Sequence, residues 1–223
     1  MWHSIGPGLR RHFTVSAFDR RGHGRTSDTD EPFTIEAMAD ETIAFLNFLG
    51  RRAHLVGHSD GANVALAVAM RRPDLVRRVV AIGANYHHNG LMAMEPFTPA
   101  SASFADFAAG YGALAPEGAS HAATVVEKSR QLVETEPTWT SADLAAIACP
   151  VLVMAGDDDV MTLAHLTSMY ESFTDAQLAI VPGTSHGVLR ERTNFATNLI
   201  GDYLRSSLPP VTRDPVRRAG KHS

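Results

Sequence analysis

Short apolar runs alternate with segments of helical periodicity along most of this chain. Five of these runs are typical of strands, and each ends in or just before a glycine, aspartate, asparagine or histidine. Strands that are apolar throughout are buried on both faces, and helices between consecutive strands are typical of a parallel sheet. We therefore predict an α/β fold with a mostly parallel sheet covered by helices on both faces. The predicted strands are residues 12–19, 53–59, 77–85, 150–159 and 176–186.

The helix after the first predicted strand is specified at both of its ends. Thr34 is a residue of the N-cap type, apolar side chains recur at helical spacing from Ile35 to Leu49, and Gly50 follows. Residues 63–72 form a second helical pattern that is apolar on nearly all sides, which favours a position between packed layers. A closing amphipathic helix is predicted over residues 194–208.

One long segment interrupts the alternation of strands and helices. Residues 85–147 contain helical fragments and several prolines but no strand pattern, and they lie between two predicted core strands. We predict that they form an inserted helical cap above the carboxyl edge of the sheet, where the ligands of such sheets bind. We expect one domain over residues 1–208, followed by a basic, disordered tail over residues 209–223.

A serine flanked by glycines lies at the junction of the second predicted strand and the helix after it. The pattern is Gly57-His58-Ser59-Asp60-Gly61. Gly-x-Ser-x-Gly is common by chance, but between a buried strand and a helix it is typical of a nucleophile elbow. In such a turn the serine backbone is strained, and the glycines avoid clashes on either side of it. The pattern therefore predicts that Ser59 is a catalytic nucleophile.

A serine hydroxyl needs a base to activate it, and the base needs a carboxylate to orient it. In this type of sheet, serine, acid and histidine follow one another along the chain. Asp159 comes after the strand "VLVMAG", and His186 lies in the loop after the last predicted strand. These residues complete a predicted triad, with Asp158 as the alternative acid. A Mg²⁺ site at "GDDD" lacks further ligands at suitable spacing, so we predict no metal and no cofactor.

At this point the chain resembles the α/β-hydrolase superfamily over residues 2–208. The resemblance rests on "DRRGHGRTS", "GHSDGA", "PVLVMAGDDD" and "GTSH", and it extends to the carboxylesterase and biphenyl-hydrolase-like type. It implies Ser59, Asp159 and His186 as the triad and the backbone N–H of Asp60 as one oxyanion-hole donor. The serine departs from the epoxide hydrolases and haloalkane dehalogenases, which carry an aspartate at that position.

The resemblance also implies that the first strands of the family's sheet are missing. In the family, a strand ending in a His-Gly loop precedes a tryptophan, and Trp2 of this chain matches that tryptophan. The expected fold is therefore incomplete at its N-terminus and lacks the second oxyanion-hole donor. We expect residues 12–19 and 53–59 either to pair directly or to keep unpaired edges.

Asp60 admits two interpretations. A carboxylate in the first turn of a helix gains stability from the helix dipole. The same carboxylate lies beside the position where an oxyanion develops, so it could bind an ammonium group on the substrate. Gly-x-Ser-Asp-Gly is similar to the pattern in the biphenyl-hydrolase-like enzyme that cleaves α-amino-acid esters. Asp60 is thus also a candidate substrate-binding residue.

Charge and composition narrow the classes of function and partner. A net charge of −4 argues against nucleic acid and anionic membrane surfaces as partners. No apolar run has the length of a signal peptide or a membrane span, and the one cysteine suits a reducing, cytoplasmic location. We predict a serine hydrolase acting on a small ester or related acyl substrate. The alternatives are a hydrolase-fold binding protein with weak catalysis and an inactive truncated fragment.

Overall fold

The computed structural model describes residues 2–93, 95–206 and 214. Its centre is a parallel sheet with the strand order β1-β2-β3-β4, so each strand pairs with its neighbours in the chain. Parallel neighbours need long crossover connections, and helices provide them. The strands are β1 (Ala53–His58), β2 (Val76–Ile82), β3 (Val151–Asp158) and β4 (Ala176–Ser185).

Helices cover the sheet and fill the connections between its strands. Short 3₁₀ turns occur at His88–Gly90 and Ala119–His121. The α-helices are α1 (Trp2–Leu9), α2 (Ile35–Leu49), α3 (Asp60–Arg71), α4 (Phe104–Gly112), α5 (Ala122–Thr135), α6 (Ser141–Ala145), α7 (Leu163–Ser172), α8 (Val188–Glu191) and α9 (Thr193–Arg205).

The two faces of the sheet bury two separate hydrophobic cores. Successive side chains of a strand point to opposite faces, so Val79 and Ala81 of β2 enter one core while Val80 and Ile82 enter the other. Helices α2, α3 and α7 pack in the first core, and α1, α8 and α9 pack in the second. The sheet is therefore covered on both faces, as its apolar strands predict, and the α/β fold class is confirmed.

The caps of α2 agree with the sequence. The side chain of Thr34 accepts a hydrogen bond from the backbone N–H of Ala37, and Gly50 adopts the left-handed conformation with φ of 64°. This conformation suits glycine, which has no Cβ to clash. The start and the end of this helix are therefore both encoded locally.

Residues 12–19 differ from their prediction. In the described residues they form a turn followed by a segment without regular secondary structure, and β1 pairs with β2 alone. A strand needs a neighbouring backbone to complete its ladder, and an extended, apolar sequence does not supply one. The prediction of a strand over residues 12–19 was wrong, and of the two outcomes expected for this edge of the sheet, the unpaired one is observed.

The segment between β2 and β3 is helical, with α4, α5 and α6 inside the predicted cap at residues 85–147. An isolated bridge between His87 and Thr138 joins the two ends of this segment, and one between Leu91 and Met161 ties it to the loop after β3. The predicted disordered tail lies outside the described residues, apart from Asp214. In the described part of the chain, no helix is long and apolar enough to cross a membrane.

Candidate active site

Ser59 occupies the sharp turn between β1 and α3. Its φ of 55° and ψ of −129° lie outside the usual regions for a residue with a side chain, and it is the one non-glycine residue with positive φ in the described chain. Its N–H donates to the carbonyl of Ile82 on β2 at 2.8 Å. Backbone strain of this kind persists only where surrounding contacts hold it, and it is concentrated at functional sites.

The glycines around Ser59 allow this turn. A Cβ on Gly57 would overlap the carbonyl of Gly61 and the backbone nitrogen of Ala62. A Cβ on Gly61 would lie 3.3 Å from the guanidinium of Arg20. The strand and the helix therefore approach each other more closely at Gly57 than any larger residue permits.

Asp159 and His186 are brought together by the ends of β3 and β4. The Nδ1 atom of His186 lies 2.7 Å from the Oδ1 atom of Asp159, whose side chain is 1% exposed. Burial alone would raise the pKa of Asp159, but the hydrogen bond and the charge at His186 outweigh it and hold that pKa below its ordinary value. Of the two aspartates considered from the sequence, Asp159 makes this contact, and Asp158 is exposed at the end of β3.

Two further residues fix the position of His186. The Nε2 atom of His58 donates to the backbone carbonyl of His186 at 2.7 Å, and the two rings lie 4.6 Å apart. Burial lowers the pKa of His58, so this ring is neutral at neutral pH. On β2's side, a Cβ on Gly83 would come within 2.7 Å of the imidazole of His186. The position of His186 therefore depends on contacts from the ends of β1, β2 and β3.

Ser59 and His186 line one cavity of about 150 Å³. Pockets that take drug-sized ligands have about 300–1,000 Å³, so this cavity suits a small molecule. Its apolar wall consists of Leu91, Val133, Val160 and Met161. Its polar lining consists of Ser59, Asp60, Asn85, Glu136 and His186.

Asp60 is the first residue of α3, where the backbone N–H has no acceptor within the helix. The described residues give its carboxylate no hydrogen bond. Burial raises the pKa of Asp60, and the charges of Arg20, His23 and His186 oppose this effect. The structure thus places Asp60 at the cavity that holds Ser59.

Two polar residues of the cavity were not identified as site residues from the sequence. Asn85 lies three residues after the end of β2. Glu136 belongs to the inserted segment, and its Oε2 accepts a hydrogen bond from the N–H of Ile35 at 2.7 Å. Asn85 could have been found from its place after a strand end. Glu136 carries no motif that would single it out.

Among the described residues, no group of three or more histidine, cysteine, aspartate or glutamate side chains is arranged to hold a metal ion. The polar groups of the cavity instead provide a hydroxyl, an imidazole bound to a carboxylate, and free backbone N–H groups at a helix start. Such a set can carry out nucleophilic attack, proton transfer and stabilisation of a developing negative charge.

Comparison with known sequences identifies related proteins. A family model described as "Alpha/beta hydrolase family" matches residues 1–197. A protein described as "Putative carbamate hydrolase RutD" from Caulobacter sp. (strain K31) is 30% identical over 213 residues, which cover 83% of this chain and 78% of that protein.

Solved structures share the fold. The enol-lactonase from Burkholderia xenovorans LB400 matches with a TM-score of 0.72 at 21% identity, covering 92% of this chain and 86% of that chain. The meta-cleavage product hydrolase CumD from Pseudomonas fluorescens IP01 matches with a TM-score of 0.70 at 22% identity, covering 91% of this chain and 84% of that chain. At these identities the similarity concerns the fold alone.

Proposed function

The chain belongs to the alpha/beta hydrolase family, and from this premise we propose that it is a serine hydrolase that cleaves a small carboxylic ester or a related acyl bond. One observation carries the proposal. Ser59, held at positive φ on its elbow, lines the same cavity as His186, whose Nδ1 lies 2.7 Å from the buried carboxylate of Asp159.

In the first half of the reaction, the Oγ of Ser59 attacks the carbonyl carbon of the substrate. The Nε2 of His186 takes the hydroxyl proton, and the carbonyl π electrons move onto the oxygen. The carboxylate of Asp159 holds the Nδ1 proton, which leaves Nε2 free to accept, and it stabilises the imidazolium. The backbone N–H of Asp60 donates to the oxyanion. The alcohol then leaves with the proton from His186.

In the second half, water replaces the alcohol. His186 takes a proton from the water, whose oxygen attacks the acyl carbon bound to Ser59. Collapse of the second oxyanion releases the acid and returns the proton from His186 to the Oγ of Ser59.

The cavity of about 150 Å³ supports a small acyl substrate. Burial raises the pKa of the Cys149 thiol to about 11, which argues against Cys149 as a second nucleophile.

Labelling with a fluorophosphonate probe tests this proposal, because the probe reacts covalently with an activated serine. We expect one equivalent on Ser59, detected by mass spectrometry of the digested protein, and none in Ser59→Ala. A folded protein that binds small esters without being labelled would instead be a hydrolase-fold binding protein. A chain that neither labels nor melts cooperatively would be an inactive fragment.

The cavity lining further supports a preference for substrates with an amino group near the reacting carbonyl. Asp60 and Glu136 both line the cavity, whereas no lysine or arginine is among the described lining residues. An ammonium group beside Asp60 would supply the hydrogen bond that its carboxylate lacks. A hydrogen bond to a charged group contributes about 1.5–3 kcal/mol, or roughly 10–100-fold in specificity.

Two esters that differ only in a free or acetylated α-amino group test this preference. We expect a kcat/KM ratio of about 10–100 in favour of the free amine in the wild type, and a ratio near one in Asp60→Asn. Glu136→Gln is the control, because it removes the other carboxylate of the cavity lining and should keep the preference for the free amine if Asp60 is the residue that binds the amino group. If the wild type shows no preference, Asp60 serves only to stabilise the start of α3.

A second candidate activity is carbamate hydrolysis, favoured by the relative that is 30% identical over most of this chain. The same two steps apply, with a carbamate in place of the ester. Turnover of an alkyl carbamate that disappears in Ser59→Ala would support it. Turnover of the matched alkyl ester alone would exclude it in favour of ester hydrolysis.

A further inference from the structure

Two buried asparagines connect the elbow helix to the loop after β2. Asn63 lies in the first turns of α3, and Asn85 lies three residues beyond the end of β2. The two residues are 2% and 3% exposed. The Nδ2 of Asn63 donates to the Oδ1 of Asn85 at 2.7 Å, and the backbone N–H of Asn85 donates to the Oδ1 of Asn63 at 3.1 Å. The pair thus closes a ring of hydrogen bonds.

This ring fixes which way each amide faces. A backbone N–H can only donate, so the atom of Asn63 that receives it must be the oxygen. The other amide atom of Asn63 is then its nitrogen, which can only donate, so its partner on Asn85 must be the oxygen. The orientation of both amides follows from these two contacts, and the remaining amide atom of Asn85 is its nitrogen, Nδ2.

The Nδ2 of Asn85 is buried and has no hydrogen-bond partner among the described residues. Asn85 is also one of the residues that line the cavity with Ser59 and His186. A buried donor without an acceptor is costly, and a site that binds a substrate oxygen through such a donor discriminates strongly against analogues that lack the oxygen.

We infer that Asn85 is a substrate-binding residue whose Nδ2 donates to a second acceptor oxygen of the substrate, outside the bond that is cleaved. This inference rests on the proposed function and narrows its substrates to acyl compounds that carry a further carbonyl or similar oxygen. Asn63 is the positioning residue: it holds the Oδ1 of Asn85 and so keeps the donor available to the cavity.

The place of Asn85 in the sheet agrees with this role. Strand β2 pairs with β1, which leads to Ser59, and with β3, which leads to Asp159. The loop that carries Asn85 begins at Gly83, whose Cα hydrogen faces the imidazole of His186 closely enough that a Cβ would clash with it. A substrate oxygen bound by Asn85 would therefore lie near the reacting carbonyl and would help to orient it.

Two pairs of esters test the inference. On the acyl side, methyl 4-oxopentanoate is compared with methyl 4-methylpentanoate, which replaces the ketone oxygen by a methyl group. On the alcohol side, 2-oxopropyl butanoate is compared with 2-methylpropyl butanoate. Intrinsic reactivities differ within each pair, but they cancel when the kcat/KM ratio of the wild type is divided by that of a variant.

In Asn85→Asp, the oxygen that accepts from Asn63 is kept and the donor is lost. We expect the kcat/KM ratio of ketone ester to methyl analogue to fall by about 10-fold for one of the two ester pairs, because one hydrogen bond is removed. In Asn63→Asp, the nitrogen that donates to Asn85 becomes a carboxylate oxygen that can only accept. The side-chain amide of Asn85 therefore turns, so that its Nδ2 donates to this oxygen and its Oδ1 faces the cavity. We expect the same preference to be lost, although position 63 does not line the cavity. The exposed Asn194→Asp is the matched control and should leave both ratios unchanged.

Ratios unchanged within about twofold for both pairs in both variants, with the proteins folded, would overturn the inference and leave a structural pair only. Failure of the proposed function has a different signature, namely no turnover of any of the four esters or turnover that survives in Ser59→Ala. Calorimetric binding of the four esters to Ser59→Ala then decides the inference without turnover. The inference is supported if a ketone ester binds Ser59→Ala more tightly than its methyl analogue does and if this difference is lost in the double variant with Asn85→Asp. Equal binding of both members of each pair to Ser59→Ala would overturn it.

Discussion

Asp158 and Asp159 are neighbours in the chain but lie in opposite surroundings. Asp158 pairs with Ser185 at the exposed end of the β3–β4 ladder, whereas the side chain of Asp159 turns inward to His186. The N–H of Gly156 also donates to Asp159 at 3.4 Å. The single residue step between the two aspartates therefore decides which carboxylate can orient the imidazole.

We expect Asp159→Asn to lower kcat for a p-nitrophenyl ester by up to about 10⁴-fold, because the amide favours the wrong tautomer of His186. Asp158→Asn is the matched control and should keep activity within a few fold. The measurement is steady-state kinetics with both variants checked for folding by circular dichroism. If Asp158→Asn is inactive and Asp159→Asn is active, the acid of the triad is Asp158 and not Asp159.

Gly57 shows that the elbow depends on the absence of a side chain. A Cβ at this position would overlap the backbone of Gly61 and Ala62, and backbone atoms cannot turn aside as a flexible side chain can. We expect Gly57→Ala to lose nearly all ester turnover and about 2 kcal/mol or more of unfolding free energy. Chemical denaturation and esterase kinetics on the same samples measure both effects.

Gly110 supplies the control, because it lies inside α4, where an added Cβ would meet nothing beyond its chain neighbours and the backbone of the helix itself. Gly110→Ala should leave activity unchanged and stabilise the protein by about 0.4–1 kcal/mol, since alanine restricts the unfolded chain. An active Gly57→Ala enzyme would show that the elbow can open without loss of function.

At the scale of elements, Asp28 joins the loop before α2 to the inserted helical segment. Its side chain is 2% exposed, and its Oδ2 accepts from the Nζ of Lys128 at 2.8 Å and from His121 at 2.9 Å. Lys128 also donates to the carbonyl of Thr29, and the N–H of Asp28 donates to Glu117 at 2.8 Å. One buried carboxylate thus adds charged contacts between the inserted segment and the loop before α2.

We expect Asp28→Asn to lower stability at pH 7 by about 2 kcal/mol, or roughly 4–8 °C in Tm, because it leaves Lys128 without its counter-ion. Burial would raise the pKa of Asp28, but hydrogen bonds from Lys128 and His121 hold it below its ordinary value of 3.8. A depressed pKa adds stability that is complete above the ordinary value and lost as the pH falls through the lower one.

The difference in Tm between the wild type and Asp28→Asn should therefore be constant from pH 5 to 7 and shrink below about pH 4. Differential scanning calorimetry over this range measures it, and the exposed Asp30→Asn should stay within about 0.5 kcal/mol of the wild type. If the Tm difference does not depend on pH, the contact is stabilised by packing and neutral hydrogen bonds and not by the charge of Asp28.

The elements that sequence predicted well are those specified by nearby residues. Strands β2, β3 and β4 each contain a continuous apolar run, over residues 79–82, 151–155 and 178–181, and α2 carries both of its caps in the sequence. Helix α1 was not predicted, because Gly6, Pro7 and Gly8 all disfavour a helix. Residues 12–19 have the composition of a strand, but pairing depends on a partner that composition does not reveal.

The candidate site divides in the same way. Ser59, Asp159 and His186 follow strand ends, where parallel strands bring their loops together, so their order in the chain predicted their proximity. Asn85 and Glu136 reach the same cavity through contacts with Asn63 and Ile35, which are distant in sequence. Such contacts depend on packing that no local pattern encodes.

At the scale of the whole molecule, the strands of the sheet differ in how completely their edges are paired. Strand β2 pairs on both edges, whereas β1 pairs on one edge in the described chain and its residues are mostly only half-buried. The N–H of Ser59 points to β2, so by strand alternation Leu55 and Gly57 do too. His54 and Val56 therefore direct their N–H groups away from the sheet.

Amide hydrogen exchange followed by NMR should reproduce this asymmetry. We expect His54 and Val56 to exchange at least about 10²-fold faster than Leu55 and Gly57, because opening a local unpaired amide costs far less than opening the sheet. Val80 and Ile82 of β2 should be protected to the level of global unfolding and so serve as the internal reference. Equal protection along β1 would contradict an open edge. It would mean that a further strand pairs there in solution, and slower exchange at higher protein concentration would identify that strand as one from a second copy of the chain.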